Sequence, residues 1–465
     1  MNVKLPRLST FSLWNRVTEK RVFAGYSNLC CRGVIHFHLF PEIGPEPPDF
    51  GFFCKNLVAE WEKILKISGV LCHTGGVIHL PLNHKKPLMN RLFPRLIIVR
   101  MFHRLILASP ILILLLISCE PLATSFPEEE DAISYTSANL TPIPDTFSVV
   151  KVMTWNIRFG AARVAWFGDA CGDRVILSEE EVMTNLEAIA AKIREINPDI
   201  LLLQEVDLNS KRSAYINQVQ WLLDHSHFNY AVAGSQWMAQ CIPSDGLGRM
   251  DEENVIFSRW KISDAKRIQL ALRGDQDKLT RYFYERCCMV TGRIEIQGIN
   301  KFVAVNIHIS AFATDDTKQK QIVQLQDQLD QINRSGGVFV AGGDFNTLPP
   351  GSDTTDYCIQ DMCSWESYHS QGDNPMHKDG SNYEPEKHWL DTLYARYRCS
   401  VPTSEYVINQ FRYFTHTTRT GHFWDRTLDY LFTNDQWNAN SVVTHQDALN
   451  ESDHAPVSAT LTLHR

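Results

Sequence analysis

Basic charge is scarce beyond the first quarter of this chain. Residues 1–118 carry 15 Lys and Arg against 6 Asp and Glu, which leaves 30 basic and 47 acidic residues from position 119 onward, a net of −17. A surface of that sign repels polyanions, because non-specific nucleic-acid binding is mostly phosphate neutralisation by Lys and Arg. Long duplex DNA is therefore disfavoured as a partner, and a small or lipid-like ligand is favoured. No cysteine pair has zinc-finger spacing with matching histidines, which argues against a structural zinc site, and no internal repeat is evident. The apolar run Leu105–Ile117 is interrupted by Pro110 and is short of the ~20 residues needed to span a bilayer.

What that run does resemble is an export signal. From Met101 the chain reads MFHRLILASPILILLLISCEP: a charged start at Arg104, an apolar stretch, then Leu-Ile-Ser-Cys ending at Cys119. The layout is that of a secretory signal, and its last four residues resemble a bacterial lipobox, in which Cys119 becomes the lipidated first residue. A membrane anchor, and a place at the bacterial cell envelope on its periplasmic or extracellular face, are the expectations. Residues 1–100 show no sustained period of 2 or 3.6 and are expected to be an extension upstream of a true start at Met101; the rival reading is a genuine domain ahead of an internal anchor. Residues 101–119 form the signal segment. Residues 120–147, with four prolines and an acidic run, read as a polar tether unable to bury enough apolar surface to order itself. Past Cys119 seven cysteines remain, an odd number; a disulfide involving Cys358 or Cys363 is open, and sequence alone assigns none.

From about residue 148 to 465 the chain alternates elements. Val149–Ile157 is expected as a strand. Ser178 and Glu181 form a capping box ahead of a helix over Val182–Ile196. Strands are expected at Ile200–Leu203, Phe228–Ala233, Asn254–Phe257, Met289–Ile296, Phe302–Ile309, Arg412–Thr415, Leu428–Thr433 and Pro456–Leu463, with helices at Ala214–Leu223 and Lys318–Ile332. Five polar islands punctuate this domain: TWNIR at Thr154–Arg158, LLLQE at Leu201–Glu205, NIH at Asn306–His308, GGDFN at Gly342–Asn346 and SDHAP at Ser452–Pro456. Four follow apolar strands and the fifth precedes one. Burying such groups unpaired would cost several kcal/mol each, so a core would not place them there. Asn306 and His308 stand two apart and share a strand face.

The order and spacing of these islands resembles the endonuclease/exonuclease/phosphatase superfamily, the deoxyribonuclease I-like phosphoesterases, over roughly residues 148–465. The resemblance implies a four-layer α/β sandwich, two packed mixed β-sheets flanked by helices. It implies a Mg²⁺-dependent hydrolase of phosphoester bonds, with Mn²⁺ as an alternative ion, since hard oxygen ligands suit Mg²⁺. Glu205 is implied as metal ligand, Asn156 as a contact to metal or phosphate, and Asp453 as a residue near the metal. Asp344 would align or deprotonate water and Asn346 orient the phosphate. His308 would donate to phosphate or leaving oxygen, and His454 would act on the scissile phosphate with Asp429 orienting it. Arg158 stands where several members carry Asp; its fork of donors would meet the phosphate. Asn254, preceded by Glu253 rather than a small residue, matches a substrate-side Asn, and Asn306 is counted with it. Thr415, His416 and Thr417 either line the pocket or form a strand edge. Substrate remains three ways open: nucleic acid, a lipid head group, or a small nucleotide or sugar phosphodiester. An inactive binding module on the same fold is the reading from another class, and a monomer is expected.

Overall fold

The computed structural model describes residues 122–143, 149–313, 315–354, 357, 361, 363 and 387–463. In chain order its strands are β1 (Glu129–Asp131), β2 (Ile133–Thr136), β3 (Val149–Asn156), β4 (Ile200–Asp207), β5 (Tyr230–Ile242), β6 (Gly248–Ser258), β7 (Ile262–Gln269), β8 (Cys288–Ile294), β9 (Phe302–His308), β10 (Val338–Asp344), β11 (Arg398–Cys399), β12 (Asp429–Thr433), β13 (Val443–Thr444) and β14 (Val457–Thr462). They form two seven-stranded sheets, ordered β1-β7-β8-β9-β10-β12-β11 and β13-β14-β3-β4-β6-β5-β2. Each sheet holds one parallel pair, β3 with β4 and β9 with β10, and is otherwise antiparallel. A parallel neighbour needs a crossover, and a long helix supplies each one: α1 (Glu179–Ile196) joins β3 to β4, and α2 (Thr317–Arg334) joins β9 to β10.

The alternation of side chains along these strands builds four layers. In β3 and β4, Val152, Ile200 and Leu202 meet Val290, Ala304, Val340 and Leu431 of the opposite sheet. Their neighbours Met153, Leu201 and Leu203 point the other way, onto Leu186, Ile189 and Ile193 of α1. The second sheet repeats the scheme, with Val303, Val305, Phe339 and Ala341 against Ile322, Leu325 and Leu329 of α2. Helix, sheet, sheet and helix are thus stacked as expected. α1 starts on the expected capping box, with Ser178 accepting from the Glu181 N–H and Glu181 reaching back to Ser178.

Two expectations need correction. Residues 120–147 have the composition of a tether, yet within them β1 pairs with β7 and β2 with β5, closing one edge of each sheet. An edge strand draws its stability from ladder hydrogen bonds and needs few core side chains, so polar composition does not preclude it; Asp131 accepts from Lys266 at 2.8 Å. Arg412–Thr415, expected as a strand, begins in a 3-10 turn over Gln410–Tyr413. Cys119, the signal segment 101–119 and residues 1–100 lie outside the described residues. Among the described residues no helix is long and apolar enough to cross a membrane.

Candidate active site

Strand register alone sets three of the polar side chains abreast. Asp344 at the end of β10 stands opposite His308 of β9 on one side and Asp429 of β12 on the other. The second glycine of GGDFN makes this possible. Gly343 has φ +149°, and a Cβ there would sit 1.7 Å from Ile307 O, so no other residue lets β9 and β10 close up. The opposite sheet contributes Asn156 and Glu205 from the ends of β3 and β4. Glu205 lies where the β4–β6 register shifts between Leu203 and Val206, with φ +53°. A non-glycine residue in the left-handed region costs of order 1–3 kcal/mol, and the bulge re-aims this carboxylate. His454 enters just ahead of β14, which pairs antiparallel with β3. Trp155 Nε1 donates to His454 O at 2.8 Å and Ser452 Oγ to Asn156 O at 2.8 Å, tying the first and last islands together.

Asp344 Oδ2 is the centre of the arrangement. Asn156 Nδ2 lies 3.1 Å from it, and His308 Nε2 and His454 Nε2 each lie 3.5 Å away. Asp344 Oδ1 accepts from the Asn346 N–H at 2.8 Å. Asn156 Nδ2 also reaches Glu205 Oε1 at 2.9 Å, and His308 Nε2 is 3.9 Å from that oxygen. His454 Nδ1 is 2.8 Å from Asp429 Oδ2. Burial opposes a charged His454, but the Asp429 and Asp344 carboxylates outweigh it and raise the pKa to about 10. Burial pushes Asp429 up to about 6 against the pull of His454.

Glu205 is pushed well above the ordinary carboxylate range, by burial first and then by the negative charge of Glu252 and Asp453. Among the described residues no Lys or Arg reaches ion-pair distance of it, and its side chain is 20% exposed. A carboxylate that lacks a Lys or Arg of its own, with a fifth of its side chain exposed, fits a hard divalent cation. Two triplets bring ligand atoms within 4.8 Å of one another, His416–Asp453–His454 and Asp344–Asp429–His454. In the second, Asp429 and His454 already spend facing atoms on each other.

The structure brings Glu205, His308, Asp344, Asn346, Asp429, Asp453, His454 and Asn156 to one cleft, and gives three other residues different work. Arg158 is 2% exposed and held in the fold: it pairs with both oxygens of Asp169, with Asp453 Oδ2 at 3.0 Å, and with the carbonyls of Ala162 and Val164. With Nε, both Nη1 hydrogens and one Nη2 hydrogen engaged and the side chain buried, the expected phosphate contact gives way to a rivet under Asp453. Asn306 lies between the sheets, donating to Leu203 O and Val255 O and accepting from Gln204. It is a cross-sheet tie, not a substrate contact. Asn254 is fully buried, donating to Gln236 Oε1 and Cys288 O, and so stands behind Gln236 as a support. Asn156 keeps its place but with its amide turned. Its Oδ1 accepts from the Arg158 N–H, so its N–H₂ faces the carboxylates and steadies Glu205. Asn346 spends its amide N–H on Ile309 O.

Three other neighbours, Arg212, Gln236 and Glu285, carried no sequence signal. Arg212, stacked 3.7 Å over Phe159, binds Asp207 and Glu252 beneath the cleft. Gln236 bridges Glu252 and His308 Nδ1. Glu285 is pushed up to about 7 by burial and by Glu252. The His416 ring lies 4.3 Å from that of His454, and burial together with the neighbouring cations pulls its pKa well down, so this histidine stands in the pocket as a neutral wall. Arg426 is clasped by Asp361 and Asp425, and Cys363 is bonded to Cys171.

Residues 153–454 match the model of the Endonuclease/Exonuclease/phosphatase family. No curated protein matches the chain in sequence. Similar solved structures include an endonuclease/exonuclease/phosphatase from Beutenbergia cavernae DSM 12333, at 18% identity and TM-score 0.44, covering 68% of this chain and 72% of that one. A family protein from Leptotrichia buccalis C-1013-b shows 17% identity and TM-score 0.42 over 68% and 100%. The human Nocturnin catalytic domain, solved with a bound sulfate anion, shows 14% and 0.41 over 68% and 94%. Likenesses of that order say nothing of substrate. The family match spans well over half of the sequence and takes in every strand end that builds the cleft, and the chain belongs to the endonuclease/exonuclease/phosphatase family, whose members are metal-dependent hydrolases of phosphoester bonds.

Proposed function

We propose that this protein is a Mg²⁺-dependent phosphodiesterase or phosphatase, with Mn²⁺ as a competent substitute, acting on a small or lipid-borne phosphoester. The observation that carries the reading is the convergence on Asp344 Oδ2 of His308 Nε2, His454 Nε2 and the Asn156 amide, beside a Glu205 that no Lys or Arg among the described residues pairs with. A divalent cation held by Glu205, with Asp453 nearby, would screen the phosphate charge so that a nucleophile can approach. Asp344 would align and deprotonate water. His454, held by Asp429, would donate to the leaving oxygen, and His308 to a phosphoryl oxygen.

The net of −17 past residue 118 weighs against a polyanionic substrate; a nuclease of the same family is the second reading. The lipobox-like Leu-Ile-Ser-Cys119 supports a lipid anchor at a bacterial envelope, and the Cys171–Cys363 bridge suits an oxidising compartment. A monomer is proposed. Hydrolysis of bis(para-nitrophenyl) phosphate with Mg²⁺ and with EDTA tests the chemistry: a rate unchanged by EDTA overturns it. A panel of plasmid DNA, sphingomyelin and phosphoinositides separates the substrate classes.

A further inference from the structure

We infer that Gln236 is a positioning residue that locks His308 into the tautomer with its proton on Nε2, so that this histidine faces the cleft as a hydrogen-bond donor. A chain of obligate donors and acceptors that starts at a backbone carbonyl fixes this tautomer. Cys288 O can only accept, and Asn254 Nδ2 lies 3.0 Å from it, which fixes which way the Asn254 amide is turned. The second hydrogen of that nitrogen points to Gln236 Oε1 at 3.0 Å. Gln236 must therefore present its nitrogen on the other side, where it meets Glu252 Oε1 and, at 2.9 Å, His308 Nδ1. Turning the Gln236 amide over would set its oxygen against the Glu252 carboxylate and its nitrogen against the Asn254 nitrogen. Glu252 cannot relax away, since Arg212 holds its other oxygen.

A nitrogen that faces an N–H at 2.9 Å must offer a lone pair, so the ring proton of His308 sits on Nε2. That atom is the one directed at Asp344 Oδ2 and Glu205 Oε1. His454 has the opposite wiring. Its Nδ1 faces the Asp429 carboxylate at 2.8 Å, an acceptor, so its Nδ1 carries a proton and its Nε2 is the exchangeable position. The two histidines flanking Asp344 are thereby given different duties: His308 is a fixed donor to a phosphoryl oxygen, and proton transfer to the leaving group falls to His454. Asn254 acts one step further out, through Gln236. The catalytic use of the His308 proton rests on the phosphoesterase reading; the tautomer does not.

Two-bond proton–nitrogen correlation spectra of the full chain with isotope-labelled histidine read the tautomer directly, with His308→Asn used to assign the ring. Wild type is expected to show His308 protonated on Nε2 and unprotonated on Nδ1. Gln236→Met, similar in shape but without the donor, is expected to give a tautomer mixture and a kcat for bis(para-nitrophenyl) phosphate lower by about tenfold, with KM changed less than about twofold. Gln236→Glu, which offers an acceptor, is expected to draw the proton to Nδ1. A wild-type His308 protonated on Nδ1 overturns the inference, as does a Gln236→Glu spectrum identical to wild type. Should the Nε2–H pattern appear without any phosphodiester hydrolysis, the tautomer assignment stands and the activity falls.

Discussion

His454 Nδ1 lies 2.8 Å from Asp429 Oδ2, with both side chains buried and Asp344 Oδ2 3.5 Å from the other ring nitrogen. Two carboxylates against one imidazole overcome the cost of burying its charge and hold the proton on up to about pH 10. Removing the Asp429 charge with Asp429→Asn should let the His454 pKa fall. The alkaline limb of the kcat profile then moves to lower pH, and kcat drops by about 10²- to 10⁴-fold. A pH–rate series on both proteins checks it; an unmoved limb contradicts it.

The same pair makes a stability statement. A histidine whose pKa is raised in the folded state contributes stabilisation that is complete below its unfolded value, ~6.5, and is lost as pH rises toward about 10. Urea titrations of wild type should therefore lose stability between these limits, and the loss should shrink in His454→Gln. A wild-type curve flat over that window, or one equally steep in the variant, removes His454 as its source.

Asn306→Ala is a test of cross-sheet tying against substrate contact. The substitution leaves Leu203 O, Val255 O and the Gln204 amide without the partner they now share, and orphaned buried groups cost ~1–3 kcal/mol each. A fall of roughly 2–5 kcal/mol in unfolding free energy, with KM little changed, is expected from denaturant titration. Unchanged stability with raised KM would return Asn306 to the substrate.

Arg158→Met should behave in the same spirit. It strands Asp169 and Asp453, and breaking one side of a buried ion pair costs ~3–5 kcal/mol. Because Arg158 is buried and all but one Nη2 hydrogen are engaged within the fold, the variant is expected to bind phosphate as wild type does once folded at lower temperature. Weaker phosphate binding at full stability contradicts this.

The positions of the site were legible because strand ends are written plainly in sequence: apolar runs stop at Asn156, Glu205, His308 and Asp344, and the register does the rest. What each polar residue does there was not. Gln204 and Glu205 are adjacent on one strand, yet one ties the sheets together and the other faces the cleft. Arg158 looked free since one of its carboxylate partners lies in the irregular stretch at Asp169 and the other nearly 300 positions on, at Asp453. Gln236 was unreadable for a different reason. β5 shifts register between Ser235 and Trp237, and a bulge resets which face a side chain meets, so simple alternation cannot place it. The edge strands β1 and β2 were hidden by polar composition, which reports burial rather than ladder pairing.

Glu205 is the residue on which the account turns, and calorimetric Mg²⁺ titration of the full chain, wild type against Glu205→Gln, tests it most directly. Saturable binding by wild type, abolished in the variant together with EDTA-sensitive hydrolysis of bis(para-nitrophenyl) phosphate, is the predicted result. Equal Mg²⁺ binding by both proteins, or hydrolysis that survives the substitution and the chelator, would contradict it.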